Sequence, residues 1–230
     1  MTPNLPKQCV AEFIGTFALI FVGVGAIANN SSPAAGVGLL GVALAHGLTI
    51  AVMVSATGAI SGGQLNPAVT FGLLIGGQMD VKKTIAYWIA QLAGATLAAF
   101  ACCCLLGKAA VFGGTPDIAM NAGMPVVSVV KAIAIEAVLT FFLVFVVYGS
   151  AVDARAPKVG GLAIGLTVAL DILFGGPLTG AAMNPARTFG PALVSNHWTN
   201  HMVYWVGPLI GGALAGLIYG RFLIKESKTA

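Results

Sequence analysis

Residues 183–190 read MNPARTFG and residues 65–72 read LNPAVTFG, so one polar motif occurs twice in an otherwise apolar chain. In each copy Asn precedes Pro, which predicts the start of a helix: Asn caps a helix N-terminus well, and Pro suits the first helical position because it has no N–H group to leave unpaired. About ten mostly apolar residues follow each motif, enough to cross only about half of a bilayer core as a helix. We therefore expect two half-helices, near residues 66–77 and 184–194.

The two motifs lie at matching positions of two similar halves. Residues 47–51 (GLTIA) correspond to residues 165–169 (GLTVA), and both begin nineteen residues before the Asn of their motif. We therefore expect residues 1–230 to form a single domain built from two internal repeats, about residues 8–106 and 127–222. Paired, interrupted hydrophobic segments of this kind point to a functional site at the interface between the repeats.

The composition places the chain in a membrane. Of its 230 residues, 58% are hydrophobic and only 8% are charged, whereas a soluble domain carries about 25% charged residues. The net charge is +4, but the basic residues are scattered through loops and tails, so we expect no nucleic-acid partner. Residues 1–8 are a short polar start, and the apolar run that follows lacks a convincing cleavage site, so no cleavable signal peptide is predicted. The predicted fold class is an all-α membrane protein.

Six hydrophobic runs have the length of membrane spans. They cover about residues 8–28, 38–58, 84–106, 127–149, 160–175 and 202–222. Each half contains three spans, an odd number, so the second half must be inverted relative to the first.

The basic residues predict the orientation of these spans. If the N-terminus is cytoplasmic, the opposite side keeps only Lys108 and Lys131, while the cytoplasmic side has eight basic residues: Lys7, Lys82, Lys83, Arg155, Lys158, Arg221, Lys225 and Lys228. The positive-inside rule then predicts cytoplasmic N- and C-termini, and we expect the cell (plasma or inner) membrane. The loop with sequons at Asn29 and Asn30 lies outside, where a simple polar turn explains it better than glycosylation.

The four cysteines predict neither a disulfide nor a metal site. Cys102, Cys103 and Cys104 are contiguous within a hydrophobic run, and Cys9 stands near the start of another. Adjacent residues of a helix point in different directions, so the contiguous cysteines cannot converge on one ligand. We expect no metal and no cofactor.

An inverted repeat brings the two half-helices into the membrane from opposite sides, so both begin near the midplane with Asn66 and Asn184 facing each other. Non-helical backbone at this depth must be buried in protein or line a water-filled cavity, and we expect residues 58–65 and 176–183 to be such segments. Two amide donors and the positive ends of two helix dipoles then meet at the centre, where they repel cations and interrupt a proton wire. This arrangement predicts a passive water pore that excludes protons and ions.

The chain resembles the aquaporin (major intrinsic protein) family over nearly its full length. The resemblance rests on two motifs, Asn66-Pro67-Ala68 and Asn184-Pro185-Ala186, set among six spans, with Arg187 directly after the second. It implies six transmembrane helices plus two re-entrant half-helices, and a homotetramer of independently conducting channels in a lipid bilayer. It also implies a transport protein rather than an enzyme.

Counting along the spans places His46, Ile172 and Arg187 at a similar level in the outer half of the membrane. By resemblance, these three and Ala181 occupy the four positions of the aromatic/arginine selectivity filter. Arg and His supply donors to a passing polar molecule, and the fixed positive charge rejects cations.

The filter departs from the familiar water-only pattern, which has an aromatic residue in the second span and a His in the fifth. Here the second span carries His46 and the fifth carries Ile172, a combination that resembles plant vacuolar-type members, some of which also pass ammonia. Ammonia conductors often have a His in the third loop, and residues 107–126 contain none. Glycerol-conducting members tend to have Asp after the filter Arg, where this chain has Thr188. We expect water permeation with some ammonia leakage and little glycerol flux.

Three acids lie within the predicted spans. Glu12 and Glu136 are related by the repeat, and we expect each carboxylate to accept hydrogen bonds from backbone N–H groups of a re-entrant segment; a proton relay is the alternative. Asp171 has no acidic counterpart in the first half, is expected to be a buried hydrogen-bonding residue, and has no function that the sequence reveals.

Other functions remain open. A small neutral solute facilitator of the glycerol type would share the fold, and a secondary transporter would also use inverted repeats and broken helices. A transporter normally needs a coupling-ion site and alternating access, whereas the repeated polar site here is a pair of neutral amides. A purely structural membrane protein, closed at its filter, is the third alternative.

Overall fold

The computed structural model describes residues 4–32, 34, 36–118, 127–157 and 159–224, which contain helices and no strand. Six helices have the length and apolar composition to cross a membrane. They are α1 (Leu5–Asn30), α2 (Gly38–Ser61), α4 (Val81–Leu106), α6 (Val129–Val147), α7 (Gly160–Thr179) and α9 (Val203–Ala215). Helices α6 and α9 continue as π-helix through Tyr148–Val152 and Gly216–Leu223. The all-α membrane fold with six spans is confirmed.

Three shorter helices complete the described chain. α3 (Pro67–Ile75) and α8 (Pro185–Ser195) are the two half-helices, of 9 and 11 residues, and α5 (Lys108–Gly113) follows α4 directly. Each half-helix begins at the Pro of its motif and is capped by the preceding Asn. Local capping chemistry therefore defines both starts.

The non-helical segments before the half-helices are shorter than predicted. α2 continues to Ser61 and α7 to Thr179, so residues 58–61 and 176–179 are helical and the prediction for them was wrong. The helices end at Gly62 and Gly180, which adopt the left-handed conformation with φ of 95° and 85°. Glycine takes this conformation without a steric penalty, and so these two glycines act as the C-caps.

The half-helices pack against long helices from the opposite half of the chain. α3 contacts α9, and α8 contacts α4. Within each half, the first long helix packs on the last, as α1 on α4 and α6 on α9. The pair α2 and α7 joins the halves. There the backbones approach so closely at Gly47 and Gly165 that a Cβ atom added to Gly47 would lie 2.5 Å from the Gly165 carbonyl oxygen.

The two asparagines that were expected in a polar turn lie at the end of a helix. Asn29 and Asn30 belong to the last turn of α1 rather than to a loop, and Asn30 Oδ1 accepts a 2.7 Å hydrogen bond from the Gly38 N–H. This bond fixes the connection to α2, because it ties the end of one helix to the start of the next.

On the opposite face, Arg155 ties the connection between α6 and α7 to the end of α9. Its guanidinium lies 2.6 Å from Asp153 Oδ2 and also donates to the Leu223 carbonyl. The hydrogen bonds from Arg155 hold the pKa of Asp153 well below its usual range. Three of the basic residues used to predict the orientation, Lys158, Lys225 and Lys228, lie outside the described residues.

Candidate functional site

The two motif asparagines meet in the interior, 4% and 3% exposed. Asn66 Oδ1 accepts from the Ala68 N–H at 2.8 Å, and Asn184 Oδ1 accepts from the Ala186 N–H at 3.0 Å. These bonds fix the side-chain oxygens as helix caps, so the two amide nitrogens are left to act as donors. Both side chains line the same central cavity.

Each amide nitrogen donates to the backbone of the other half. Asn66 Nδ2 donates to the Met183 carbonyl at 2.8 Å, and Asn184 Nδ2 donates to the Leu65 carbonyl at 3.0 Å. Leu65 and Met183 both have positive φ values, 54° and 51°, which is uncommon for residues with a Cβ atom. Because an amide nitrogen carries two hydrogens, one N–H of each Asn remains beyond the crossed bonds.

Glu12 supports the first re-entrant segment. Its Oε1 accepts from the Ser61 hydroxyl at 2.6 Å and from the Gln64 N–H at 2.9 Å. Its Oε2 accepts from the Leu65 N–H at 2.6 Å and from Gln91 Nε2 at 2.8 Å. Four donors therefore surround one fully buried carboxylate.

Glu136 has the corresponding contacts in the second half. Its Oε1 accepts from the Thr179 hydroxyl at 2.7 Å and from the Ala182 N–H at 3.0 Å, and its Oε2 accepts from the Met183 N–H at 2.7 Å. In both halves the carboxylate orders the two residues that precede the capping Asn. The sequence did not predict the role of Gln91. The equivalent position in the other half is Pro208, so the repeat does not mark Gln91 as part of the site.

A narrow cavity runs past the asparagines. Its walls combine apolar side chains from both halves with a line of polar groups along the re-entrant segments, and the apolar side chains include Leu19, Ile50, Val69, Leu143, Val147, Ile164 and Val168. The space open to the centre of a water molecule is about 30 Å³. Because one water needs roughly 10–15 Å³ by this measure, this space has room for only about two or three waters.

The structure brings the four predicted filter residues together at one end of this cavity. His46, Ile172, Ala181 and Arg187 are all buried and all line it. His46, Ile172 and Arg187 also line a wider vestibule of about 400 Å³. His46, Ile172 and Arg187 therefore lie at the junction between vestibule and narrow cavity, and Ala181 lies in the narrow cavity.

His46 is oriented by its own helix and by a glycine of α1. Its Nδ1 lies 2.8 Å from the Val42 carbonyl oxygen, so this nitrogen carries the proton and donates. Nε2 then acts as an acceptor in the neutral ring, rather than as the donor that the sequence suggested. Nε2 is buried without a hydrogen-bond partner among the described residues, and it faces Gly23, where an added Cβ atom would lie 2.5 Å away.

The side chain of Arg187 is held by a segment whose contact with the filter was not predicted from the sequence. Its Nη1 donates to the Gly114 carbonyl oxygen at 3.2 Å, while its Nε has no hydrogen-bond partner among the described residues. The backbone N–H of Arg187 donates to Asn184 Oδ1 at 3.3 Å, so the central motif fixes where its side chain begins. Gly114 contributes only a backbone carbonyl, which leaves no side-chain signature in the sequence.

Asp171 lies beside the filter without lining either cavity. It is 6% exposed, and its Oδ2 has no hydrogen-bond partner among the described residues, so this atom does not meet the expectation of a hydrogen-bonded side chain. The cysteines are also remote from the two cavities: Cys102 is buried with its Sγ 3.7 Å from the Phe21 carbonyl oxygen, and Cys104 is exposed.

Comparison with known proteins identifies the family of the chain. The model of the major intrinsic protein family matches residues 1–219. Aquaporin TIP4-4 of Zea mays is 50% identical over 229 residues, which cover 96% of this chain and 88% of the relative. Aquaporin TIP4-1 of Arabidopsis thaliana is 49% identical, with coverage of 97% and 89%.

The fold also matches that of a solved channel. The X-ray structure of the aquaglyceroporin from Plasmodium falciparum superposes with a TM-score of 0.85 at 26% sequence identity, covering 96% of this chain and 98% of that one. The resemblance to plant vacuolar-type aquaporins, first indicated by the filter residues, is confirmed by the identities to the plant relatives. The chain therefore belongs to the major intrinsic protein family, as an integral membrane channel for water or small solutes of the aquaporin type rather than an enzyme.

Proposed function

We propose that the protein is a passive water channel that excludes protons and ions. The observation that carries this proposal is the narrow central cavity, in which apolar walls surround the amides of Asn66 and Asn184 and end at Arg187. Apolar walls hold water weakly and let it move quickly, whereas the few polar groups replace the hydrogen bonds that a water molecule loses on entry. No conformational change is required for transport.

Two groups of polar atoms exclude ions and protons, one at the centre of the cavity and one at its outer end. At the centre, two helix N-termini and the remaining Asn N–H groups favour a water oxygen, so the central water donates outward and cannot relay a proton. At the outer end, the buried guanidinium of Arg187 repels cations before they lose their hydration shell. We assign the central constriction to Asn66, Pro67, Ala68, Asn184, Pro185 and Ala186, and the selectivity filter to His46, Ile172, Ala181 and Arg187.

A secondary transporter fits the structure less well. Both oxygens of Glu12 and of Glu136 are engaged by hydrogen-bond donors next to the re-entrant segments. These carboxylates are therefore occupied as structural acceptors and are not free to bind a coupling ion or relay a proton.

Stopped-flow light scattering of proteoliposomes tests the proposal. The purified chain should accelerate osmotic shrinkage well above empty vesicles, with a low activation energy and no dependence on an ion gradient. A flux that required a sodium or proton gradient would identify a transporter, and no flux above that of empty vesicles would identify a closed pore.

The filter composition supports ammonia as a second permeant. Ile172 gives the filter an apolar wall, and Ala181 adds little bulk, so we expect the mouth to offer fewer donors and more space than a filter with an aromatic residue and a His. Neutral ammonia is similar to water in size and should pass, while ammonium meets the charge of Arg187. Thr188, which donates to the Pro185 carbonyl at 2.9 Å, stands where glycerol-conducting members tend to have Asp, and we therefore expect little glycerol flux.

A pH-jump assay in ammonium-loaded vesicles measures this prediction. The native chain should move ammonia faster than empty vesicles, and Ile172→His should lower the ratio of ammonia to water flux about threefold, because one added donor contributes roughly 0.5–1.5 kcal/mol. Ammonia flux equal to that of empty vesicles would show a water-selective channel.

Mercurial sensitivity gives an independent test of the filter assignment. Many family members are blocked at a filter Cys, and that position is Ala181 here. Since the cysteines lie away from both cavities, water flux through the native chain should resist mercurials, while Ala181→Cys should be blocked almost completely and recover with a thiol. Strong block of the native chain would contradict the placement of the filter or of the cysteines.

We further propose that residues 8–106 and 127–222 are inverted repeats of a single channel domain, 1–230. The exchange of partners, α3 on α9 and α8 on α4, supports this relation. A homotetramer is the assembly typical of the family, and the long apolar side chains exposed along α2 and α7, such as Leu48, Val52 and Leu170, are available for subunit or lipid contacts. Cytoplasmic termini remain the proposed orientation. The vacuolar-type relatives give the plasma membrane no support.

A further inference from the structure

A short buried segment, residues 114–118, lies over the outer end of the filter; we call it the outer strap. All five residues are buried although the segment is not helical. At its start, the Gly114 carbonyl accepts the hydrogen bond from Arg187 Nη1. Further along, Pro116 packs against Gly180, where an added Cβ atom would lie 3.1 Å from the Pro116 Cβ. The strap therefore touches both Arg187 and the re-entrant segment that carries Ala181.

Asp117 anchors the strap to the connection that follows α8. Its side chain is only 2% exposed, with Oδ2 2.7 Å from His197 Nε2. Its Oδ1 accepts a hydrogen bond from Asn200 Nδ2 at 3.0 Å. Because α8 also carries Arg187, one carboxylate links the segment that orients the guanidinium to the element from which that guanidinium extends.

The partners of Asp117 are themselves held in place. The His197 N–H donates to the Ala192 carbonyl at 3.0 Å, and the His197 ring packs edge-on against Phe112 with centroids 4.6 Å apart. Asn196 and Asn200 adopt positive φ values of 60° and 54°, which shape the connection as two tight turns. Asp117 therefore binds to a defined surface and not to a loose loop.

We propose that Asp117, through His197 and Asn200, is a positioning residue that fixes the outer strap, holds the Gly114 carbonyl against Arg187 and thereby determines which solutes pass the filter. The inference rests on the proposed channel function. The bond from Nη1 to Gly114 is 3.2 Å long and is the one side-chain hydrogen bond of Arg187 that the described residues show. A displacement of the carbonyl by about 1 Å would break it, and the guanidinium would then sample other rotamers.

A mobile Arg187 affects large and small solutes differently. Water is a small permeant and needs little space, so its flux should stay within about twofold of the native value. Glycerol needs the guanidinium to move aside, and each excursion of Arg187 would open the mouth further. We expect Asp117→Ala to raise the ratio of glycerol to water permeability about three- to tenfold, within the range by which a residue that acts on a site through its neighbours changes that site.

The experiment compares proteoliposomes in water-efflux and glycerol-uptake assays. Asp117→Ala and His197→Ala should raise the glycerol-to-water ratio, and Asp117→Asn, which keeps an acceptor oxygen for Asn200, should restore most of the native ratio. Asp153→Ala is the matched control, since it removes a carboxylate of similar burial on the opposite face and should leave the ratio unchanged.

The outcomes separate this inference from the channel function itself. If Asp117→Ala does not fold, the same test applies to His197→Ala, whose side chain is 14% exposed and less critical to packing. A native ratio in the folded variants would overturn the positioning role, even where the native chain conducts water. Absence of water flux through the native chain would instead overturn the channel proposal.

Discussion

Replacing Glu136 with leucine is expected to prevent the protein from folding into a stable channel. The carboxylate accepts hydrogen bonds from the Thr179 hydroxyl and from the backbone N–H groups of Ala182 and Met183, all buried. Leucine would leave these three donors unpaired, and each unpaired buried group costs about 1–3 kcal/mol. A loss of roughly 3–9 kcal/mol approaches the whole stability of a typical domain.

Thermal unfolding in detergent, followed by fluorescence-detected size exclusion, measures this loss. Glu136→Gln should be intermediate, because it keeps one acceptor oxygen and loses the other. Asp80→Ala is the matched control: Asp80 is an exposed acid whose side chain caps α4 through one bond to the Lys83 N–H, and its loss should cost only about 1 kcal/mol. If Glu136→Leu had the same unfolding temperature as the unmodified protein, the carboxylate would not be supporting the re-entrant segment.

The starts of the half-helices could be predicted because capping is local chemistry. Asn followed by Pro specifies an N-terminus regardless of what surrounds it, and both helices begin there. The ends of α2 and α7 could not be predicted in the same way. Each segment offers more than one glycine, and the choice of Gly62 and Gly180 over Gly58 and Gly176 depends on tertiary contacts: Glu12 and Glu136 pull the next backbone N–H groups inward and set where the helix must stop.

The filter residues also have one property that the sequence predicts and one that it does not. His46, Ile172 and Arg187 could be placed by counting, because a membrane span fixes the depth of each residue along it. The orientation of their polar atoms could not. The donor role of His46 Nδ1 depends on the Val42 carbonyl, and the orientation of Arg187 depends on Gly114, which is distant in sequence and contributes only backbone.

Converting the two central asparagines to aspartate is expected to make the channel leak cations. In Asn184 the side-chain oxygen caps α8 while the nitrogen donates to the Leu65 carbonyl. In Asn66 the oxygen caps α3 in the same way, while the nitrogen donates to the Met183 carbonyl. Aspartate keeps the cap, since a carboxylate oxygen accepts from the same N–H groups. It removes both amide donors and places negative charge where the positive ends of two helix dipoles meet. The change is therefore electrostatic at the point where cations are excluded.

We expect Asn184→Asp to give measurable potassium or proton conductance, and Asn66→Asp combined with Asn184→Asp to raise it at least tenfold over the native chain, because one unit of charge in a poorly solvated pore changes a cation's energy by more than about 1.4 kcal/mol. Planar bilayer recording of purified protein measures the conductance, and water flux in the same preparation reports folding. Asn4→Asp serves as the matched control, since it makes the same substitution at an exposed helix cap, whose side chain accepts from the Lys7 N–H and lines neither cavity. A double variant that conducts water and excludes cations as well as the native chain would place the cation barrier at Arg187 alone, since that charge would be the one remaining element of the exclusion mechanism.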